Sequence, residues 1–325
     1  MNNTLYVVIP CYNEEEVLPE TSKRLFDKFN KLINGGQIGT NSKIVFINDG
    51  SNDRTWSIIE ELHQKSQIFS GINLSRNRGH QNALLAGLLT VTENADMIIS
   101  MDADLQDDIN AIDLMVDKYL QGYDIVYGVR SKREKDTFFK KFTAESFYKL
   151  INAMGGQLVF NHADYRLMSK RAVEGLKQFK EVNLFLRGIV PMIGYKTTTV
   201  EYERNERFAG ESKYPLKKMI FFAMEGITSL SVKPIRFISG LGLTIFVLSI
   251  FMFIYILFRH FSGATITGWS SVSISIWAIG GLILLSMGVI GEYIGKIYLE
   301  TKERPRFIVD EFLNEDIEMS KSNDK

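Results

Sequence analysis

The chain has 325 residues, with 38 basic and 38 acidic side chains, four histidines and one cysteine. That length allows one large domain with additions or two ordinary ones, and the balanced charge excludes a global field that would draw nucleic acid or another polyanion. Cys11 alone excludes an internal disulfide framework and a cysteine-rich metal cluster, which suits a reducing compartment.

In chain order, "LYVVI" (Leu5–Ile9) reads as a buried strand halted by Pro10, with no basic lead, long apolar core and cleavage site before it to suggest a signal peptide. A helical pattern follows over Glu14–Ile33, then the strand Lys43–Asn48 and a helix over Asp53–Lys65. Gly71–Ser75, Asp96–Met101 and Tyr123–Val129 read as further strands, separated by helices over His80–Thr92 and Asp108–Gln121. Such alternation implies a parallel sheet covered on both faces, and ligands of such sheets bind beyond the carboxyl ends of the strands. The polar clusters "PCYNEE", "NDGSND", "SRNRG", "DADLQDD" and "VRSKR" each follow a strand. Five strands thus direct polar residues at one crevice. No internal repeat or low-complexity linker is present, and the tail Asp310–Lys325, acidic and then polar, reads as disordered.

The acidic cluster is the most informative. Asp102 and Asp104 are one residue apart, so on extended backbone they point the same way. Oxygen ligands at that spacing suit Mg²⁺ or Mn²⁺, which also take phosphate oxygens and water. The bland alternative is a solvated turn with Asp107 or Asp108 capping the next helix; position at the end of a buried strand argues against it. In "FINDGSNDRT", helix capping accounts for Ser51 and Asp53 but leaves Asp49 free to accept hydrogen bonds from a base edge or a ribose. Tyr12, Asn13 and Glu14 after Pro10 can contact a nucleoside, although Glu14–Glu16 equally favour a helix N-terminus. Arg76, Arg78 and Arg130 lie in loops on the same side, and guanidinium groups bind phosphate in pairs of hydrogen bonds. Other chemistries fit poorly: no G-x-G-x-x-G follows the first strand, and no Walker lysine, nucleophile elbow or H-E-x-x-H occurs.

Composition changes near residue 235. Phe237–Phe258 carries no charged side chain over 22 residues, and Phe261–Gly291 carries none either. Each meets the roughly 20 apolar residues of a membrane-spanning helix, giving two spans at about 235–258 and 272–295. Lys213, Lys217, Lys218, Lys233 and Arg236 precede the first; Lys296, Lys302, Arg304 and Arg306 follow the second. The excess of cations places both termini in the cytoplasm and the connecting loop outside. The expected organisation is a cytoplasmic domain over 1–214, an amphipathic interfacial helix over 215–234, the two spans within 235–298 and a cytoplasmic tail over 299–325.

Together, "VVIPCYNEEE", "FINDGSND", "SRNRGHQNALLAG", "MDADLQD", "HADYRLMSKRA" and "ERFAGESKYPLKKM" resemble the membrane-bound polyprenyl-phosphate glycosyltransferases, inverting enzymes of GT-A fold similar to dolichyl-phosphate mannose synthase and the bactoprenol glucosyltransferases. The ordered set covers about residues 5–300. The resemblance implies a GT-A-type, mostly parallel α/β sheet with helices on both faces. It assigns the nucleoside of a UDP-sugar to Pro10, Tyr12, Asn13, Glu14 and Asp49, with Arg76, Asp102 and Ala103 also on the donor. It assigns the metal, Mg²⁺ or Mn²⁺, to Asp104 and Gln106 beside Asp102. Asp164 matches the position of a catalytic base, Arg130 a catalytic phosphate contact, and Arg207 and Lys213 the acceptor phosphate. "DLQD" is followed here by Asp108 and Ile109 where the family often has two prolines, a departure that touches the helix start more than the metal.

A phosphate monoester loses its second proton near pH 6, so the acceptor needs less deprotonation than an alcohol would. Asp164 is therefore expected to position acceptor and donor sugar at least as much as it removes a proton, the bland reading being a loop carboxylate paired with Arg166 or Lys170. The implied partners are a UDP-sugar, with glucose or N-acetylglucosamine donated, undecaprenyl phosphate and the bilayer. No nucleic acid is expected, and the family is compatible with a homotetramer. A processive polysaccharide synthase would carry a Q-x-x-R-W motif and more spans. A non-catalytic scaffold or a translocation subunit would need oligomers, because two spans cannot line a path. A haloacid-dehalogenase-like phosphatase places Asp-x-Asp after its first strand, not its fourth.

Overall fold

The computed structural model describes residues 3–130, 162–182, 184–203, 233–261 and 269–314. The first part follows the expected alternation: β1 (Leu5–Cys11), α1 (Leu18–Asn34), β2 (Lys43–Asn48), α2 (Thr55–Lys65), β3 (Phe69–Leu74), α3 (His80–Val91), β4 (Met97–Ser100), α4 (Ala111–Leu120) and β5 (Ile125–Arg130). Next come β6 (His162–Ser169), α5 (Lys170–Lys177), α6 (Leu186–Met192) and β7 (Thr197–Tyr202). Two long helices, α7 (Lys233–Phe261) and α8 (Trp269–Thr301), precede a last strand, β8 (Val309–Leu313). The chain divides into two compact units, one containing the sheet and its helices, the other containing α7 and α8.

Alternation along each strand separates two cores. Leu5, Val7, Ile9 and Cys11 of β1 bury with Leu25 and Phe29 of α1 and Met115 of α4. Tyr6 and Val8 bury on the other face with Leu84, Leu85 and Leu88 of α3. Both faces being covered, the central strands read as unbroken apolar runs. Helix α3 lies close to the sheet: a Cβ on Gly87 would come within 2.4 Å of Val8 Cγ1 and 2.8 Å of Ile47 Cδ1. That contact also fixes the height of His80, at the head of α3.

The strand order is β7-β5-β6-β4-β1-β2-β3-β8. Neighbours β1–β2, β2–β3, β1–β4 and β5–β7 are parallel. The chain steps from β1 to β2 and β3 on one side and returns to β4 on the other, so the switch point lies between β1 and β4, where α/β sheets open a crevice. The result is a GT-A-like, mostly parallel α/β sheet, with two differences from a wholly parallel one. β6 runs antiparallel between β4 and β5, and β8 runs antiparallel along β3.

Three sequence expectations change. Pro10 does not halt β1, which continues to Cys11 opposite Asn48. Met101 N donates to Val8 O on the β4 side, and the β1–β4 pairing ends at Val8 and Ser100. The N–H that Pro10 lacks would point the same way, past the end of β4, so it is not missed. The tail is not disordered throughout, since Val309–Leu313 forms β8, with Phe312 and Val309 packed on the second core. Two membrane spans were expected, but among the described residues one segment, Ile279–Thr301, is long and apolar enough to cross a bilayer, and the apolar stretch of α7 that qualifies, Ile235–Ile245, is shorter. Arg207, Lys213, the interfacial helix up to residue 232, the loop 262–268 and residues 315–325 lie outside the described residues.

Candidate active site

The loops after β1, β2 and β3 are knitted together at the carboxyl edge. Asn13, at φ 55°, donates its N–H to Ser51 Oγ at 3.0 Å and accepts from Asn52 N at 2.9 Å. Glu14 N donates to Thr55 Oγ1 and Glu15 N to Asp53 Oδ2. Gly50 has φ +64°, and a Cβ there would sit 2.5 Å from Asn77 N, so only glycine lets the β2 loop press on the β3 loop. Asp49 takes advantage of that approach. Its carboxylate accepts from Arg78 N at 2.7 Å and Gly79 N at 2.9 Å. Burial pushes its pKa up, and the two amides oppose the rise. Asp49, expected to be left over for a nucleoside, therefore has a structural task in bracing the loop that leads into α3. Tyr12 is exposed beside it, and Arg76 is exposed just past β3.

After β4 the chain turns instead of staying extended, so the expected strand-like alignment of Asp102 and Asp104 does not hold. Leu105 adopts φ 58° and is buried. That left-handed residue, uncommon outside glycine, buries an apolar side chain between two polar ones, Asp104 and Gln106. Ala103 also points inward, and its carbonyl accepts from Thr21 Oγ1 at 2.8 Å. Any donor contact by Ala103 would come from its backbone. Asp104 Oδ1 accepts from Gln106 N at 3.2 Å.

Asp102 faces a cluster drawn from other elements. His80 Nε2 lies 3.5 Å from Asp102 Oδ1 and 3.8 Å from Asp164 Oδ2. Asp164, in β6, receives Arg166 Nη2 at 3.0 Å and the fork of Arg187, from α6, at 3.2 Å through Nε and 2.9 Å through Nη2. The Ser100 hydroxyl donates to the Asp164 carbonyl, tying β6 to the end of β4. Burial pushes the Asp164 pKa up, but Arg187 and Arg166 outweigh it and hold the carboxyl well below the usual carboxylate range. Asp102 goes the other way. Desolvation raises its pKa, His80 opposes, and the neighbouring Asp164 and Asp104 add to the rise. The arginines thus keep Asp164 ionised, whereas at Asp102 His80 and Arg187 work against burial and two neighbouring carboxylates.

A second cluster holds Arg130. Its Nε donates to Tyr202 Oη at 3.3 Å, and its Nη2 is 3.8 Å from Asp107 Oδ1. The Tyr202 hydroxyl donates to Asp107. Asp107 is buried rather than a solvated helix cap, and burial first, with the Asp102 charge next, pushes its pKa up to about 6. Asp108, the other candidate cap, accepts from Asn110 N at 2.9 Å at the turn into α4.

The structure therefore brings Asp102, Asp104 and Asp164 to the edge near the switch point, and Arg130 to the neighbouring cluster. Of the two pairings considered for Asp164, Arg166 forms, whereas Lys170 contacts Glu93. Sequence reasoning missed His80, Arg187 and the Asp107–Tyr202 link. A usable signal existed for two of them: His80 heads a helix directly after a polar loop, and Arg187 is a lone cation in the apolar run "LFLRGIV".

The residues fit a divalent cation shared with a substrate. Among the described residues no three or more His, Cys, Asp or Glu side chains come together to hold a metal by themselves. A cation that binds nucleotide phosphates typically uses one or two carboxylates. Asp102 and Asp104 supply that number, and such an ion would offset the repulsion that Asp104 and Asp164 exert on Asp102.

Comparison with known proteins agrees with this chemistry. The model of the glycosyl transferase family 2 matches residues 6–176. A protein of Bacillus subtilis (strain 168) described as an uncharacterized glycosyltransferase, YkoT, is 52% identical over 94% of this chain and 91% of its own. The prophage bactoprenol glucosyl transferase homolog of Escherichia coli (strain K12) is 41% identical over 93% of this chain and 97% of its own. The bactoprenol glucosyl transferase of Shigella phage SfX is 42% identical over the same shares. With more than half its length matched and relatives similar from end to end, the chain is a glycosyltransferase and belongs to glycosyl transferase family 2.

Proposed function

We propose that the protein transfers one sugar, glucose by similarity to its named relatives, from a UDP-sugar to undecaprenyl phosphate with inversion at the anomeric carbon. The observation that carries this reading is the approach of two carboxylates, Asp102 and the arginine-clamped Asp164, on either side of His80, where the carboxyl end of β4 meets the amino-terminal part of β6. The exposed Tyr12, Asn13 and Arg76 would meet the nucleoside and its phosphates. Asp102 and Asp104, with Gln106 beside them, would hold Mg²⁺ or Mn²⁺, which when bound offsets the charge of the leaving diphosphate. Arg130, held by Tyr202 and Asp107, would present a fixed guanidinium to phosphate. Asp164 would position acceptor and donor sugar, for a carboxylate held so acidic by two guanidinium groups is a weak base. The acceptor phosphate is already largely ionised at neutral pH, so orientation for in-line attack is the larger demand.

Chain connectivity limits how α7 and α8 could cross a membrane. Residues before α7 and after α8 belong to the same sheet, because β7 pairs with β5 and β8 pairs with β3. A chain that leaves a folded sheet and returns to it crosses a bilayer an even number of times. If Ile279–Thr301 of α8 spans, α7 must provide the other crossing, and its 22 uncharged residues from Phe237 to Phe258 are long enough. We place the sheet in the cytoplasm, where the flanking lysines and arginines direct it, with Arg207 and Lys213 available for the acceptor phosphate.

The test is incubation of the purified protein with undecaprenyl phosphate and a panel of radiolabelled nucleotide sugars, with and without chelator. Label entering the organic phase from UDP-glucose, and lost with chelator, is the expected result. No label from any donor would reject the reading.

A further inference from the structure

Two guanidinium groups converge on one carboxylate at this site, and they differ in a way that transfer alone does not explain. Arg166 is inaccessible, its side chain 1% exposed, and it hydrogen-bonds Asp164 through Nη2. Arg187 reaches the same carboxylate with a side chain 43% exposed. Asp164 and Arg166 already form a buried ion pair, and Arg187 adds a second, solvent-facing guanidinium whose charge also acts on Asp102. We propose that Arg187 is a substrate-phosphate ligand, parked on Asp164 in the free enzyme, that moves to a phosphate oxygen when substrate binds. This rests on the transfer reaction proposed above and names a residue and a movement that the reaction would use.

The chemistry favours Arg187 over Arg166 as the mobile partner. Withdrawing Arg166 would strand a buried charge, which is costly. Arg187 exchanges one oxyanion for another at a solvent-facing position, with no comparable desolvation. Its Nε and Nη2 now grip the two oxygens of Asp164, the same fork that suits two oxygens of a phosphate. The backbone need not move: Leu186, Gly188, Ile189 and Val190 of α6 are buried around it. A rotation of the side chain alone hands the guanidinium over and releases Asp164 Oδ2, the oxygen nearer His80, to face the substrates. The carboxylate would then be available only when a phosphate is in place.

The test is equilibrium binding to the full-length protein in nanodiscs, with two probes: UDP plus Mn²⁺, and a short-chain prenyl phosphate. Wild type, Arg187→Ala, Arg187→Lys, Asp164→Asn and the Arg187→Ala/Asp164→Asn double variant are compared. Arg187→Ala should weaken one probe about tenfold or more, the scale of lost charge-assisted hydrogen bonds. Arg187→Lys should recover part of the loss. Asp164→Asn should tighten the same probe severalfold by freeing Arg187, and that gain should vanish in the Arg187→Ala background, a coupling that general loss of structure would not produce. Which probe responds identifies the donor diphosphate or the lipid phosphate as the ligand. If Arg187→Ala, or Asp164→Asn with Arg166 left unpaired, fails to fold, weakening in Arg187→Lys carries the test. Wild-type affinity for both probes in the Arg187 variants, or an equal gain from Asp164→Asn with and without Arg187, would overturn the proposal while leaving the transfer reaction standing. Failure of the wild type to bind either probe would overturn the reaction and this inference with it.

Discussion

The two halves of the sheet are built by different rules. From β1 to β4 the strands are apolar, parallel and linked by helices, and the loops at their ends are tied by backbone amides to side chains, as in Asn13 with Asn52 and Asp49 with Arg78 and Gly79. From β5 to β7 a strand is reversed, and its buried interior carries charge: Asp164 and Arg166 sit in the middle of β6. The first half provides a cradle that carries Asp102 and Asp104 at the end of β4. The second provides Arg130, Arg166 and Arg187. The site exists because β6 inserts between β4 and β5 and lays its ion pair beside the acidic loop.

Substitutions can break this division. The largest effect should come from the first half: Asp104→Asn should lower transfer at least about 10³-fold, roughly 4 kcal/mol of transition-state stabilisation, with an unchanged thermal transition. Loss of under tenfold would remove the acidic loop from the chemistry. In the second half, Asp164→Asn should cost less, about 10- to 100-fold in turnover, and the acid limb of the pH profile should not move. Because the folded-state pKa of Asp164 is depressed below the carboxylate range, the group stays ionised across the working range. The limb should follow the acceptor phosphate near pH 6, and a shift of the limb in the variant would instead assign Asp164 as the titrating base.

Two smaller effects bear on how the halves are held. Gly87→Ala pushes α3 from Val8 and Ile47 and should destabilise by about 1–3 kcal/mol, visible as a lowered Tm, with activity falling as His80 shifts. Asp124, at the entry to β5, accepts from Arg171 and Ser169, and chiefly through Arg171 its pKa is lowered against the opposing effect of burial. Its contribution is therefore present above the unfolded-state pKa and lost as pH falls through the lower folded value. Asp124→Asn should destabilise by about 1 kcal/mol at pH 7, since Arg171 is largely exposed, and the gap to wild type should close below the ordinary carboxylate range. A gap that persists at acid pH would mean that packing, not charge, is lost.

These differences also explain what the sequence made legible. β1 to β5 were readable because strands buried on both faces are unbroken apolar runs. β6, "HADYRLMS", was not: burial there is achieved by neutralising Asp164 with Arg166, which hydrophobic periodicity cannot register. β8, "VDEFL", alternates over only five residues inside an acidic tail and declares itself only by pairing with β3. Asp102, Asp104 and Arg130 were singled out by motif and position, and Asp164 by the family resemblance. Arg187 lies 23 residues from Asp164 and His80 lies 84, so their convergence depends on the strand order, which one-dimensional pattern does not contain.

The central claim is that both halves act on one phosphorylated lipid acceptor. It is tested most directly by organic-phase extraction after incubating wild type and Asp102→Asn with UDP-[¹⁴C]glucose, Mn²⁺ and undecaprenyl phosphate. The account predicts lipid-soluble label with wild type and none above background with the variant. Equal labelling by the two proteins, or water-soluble product alone from wild type, would contradict it.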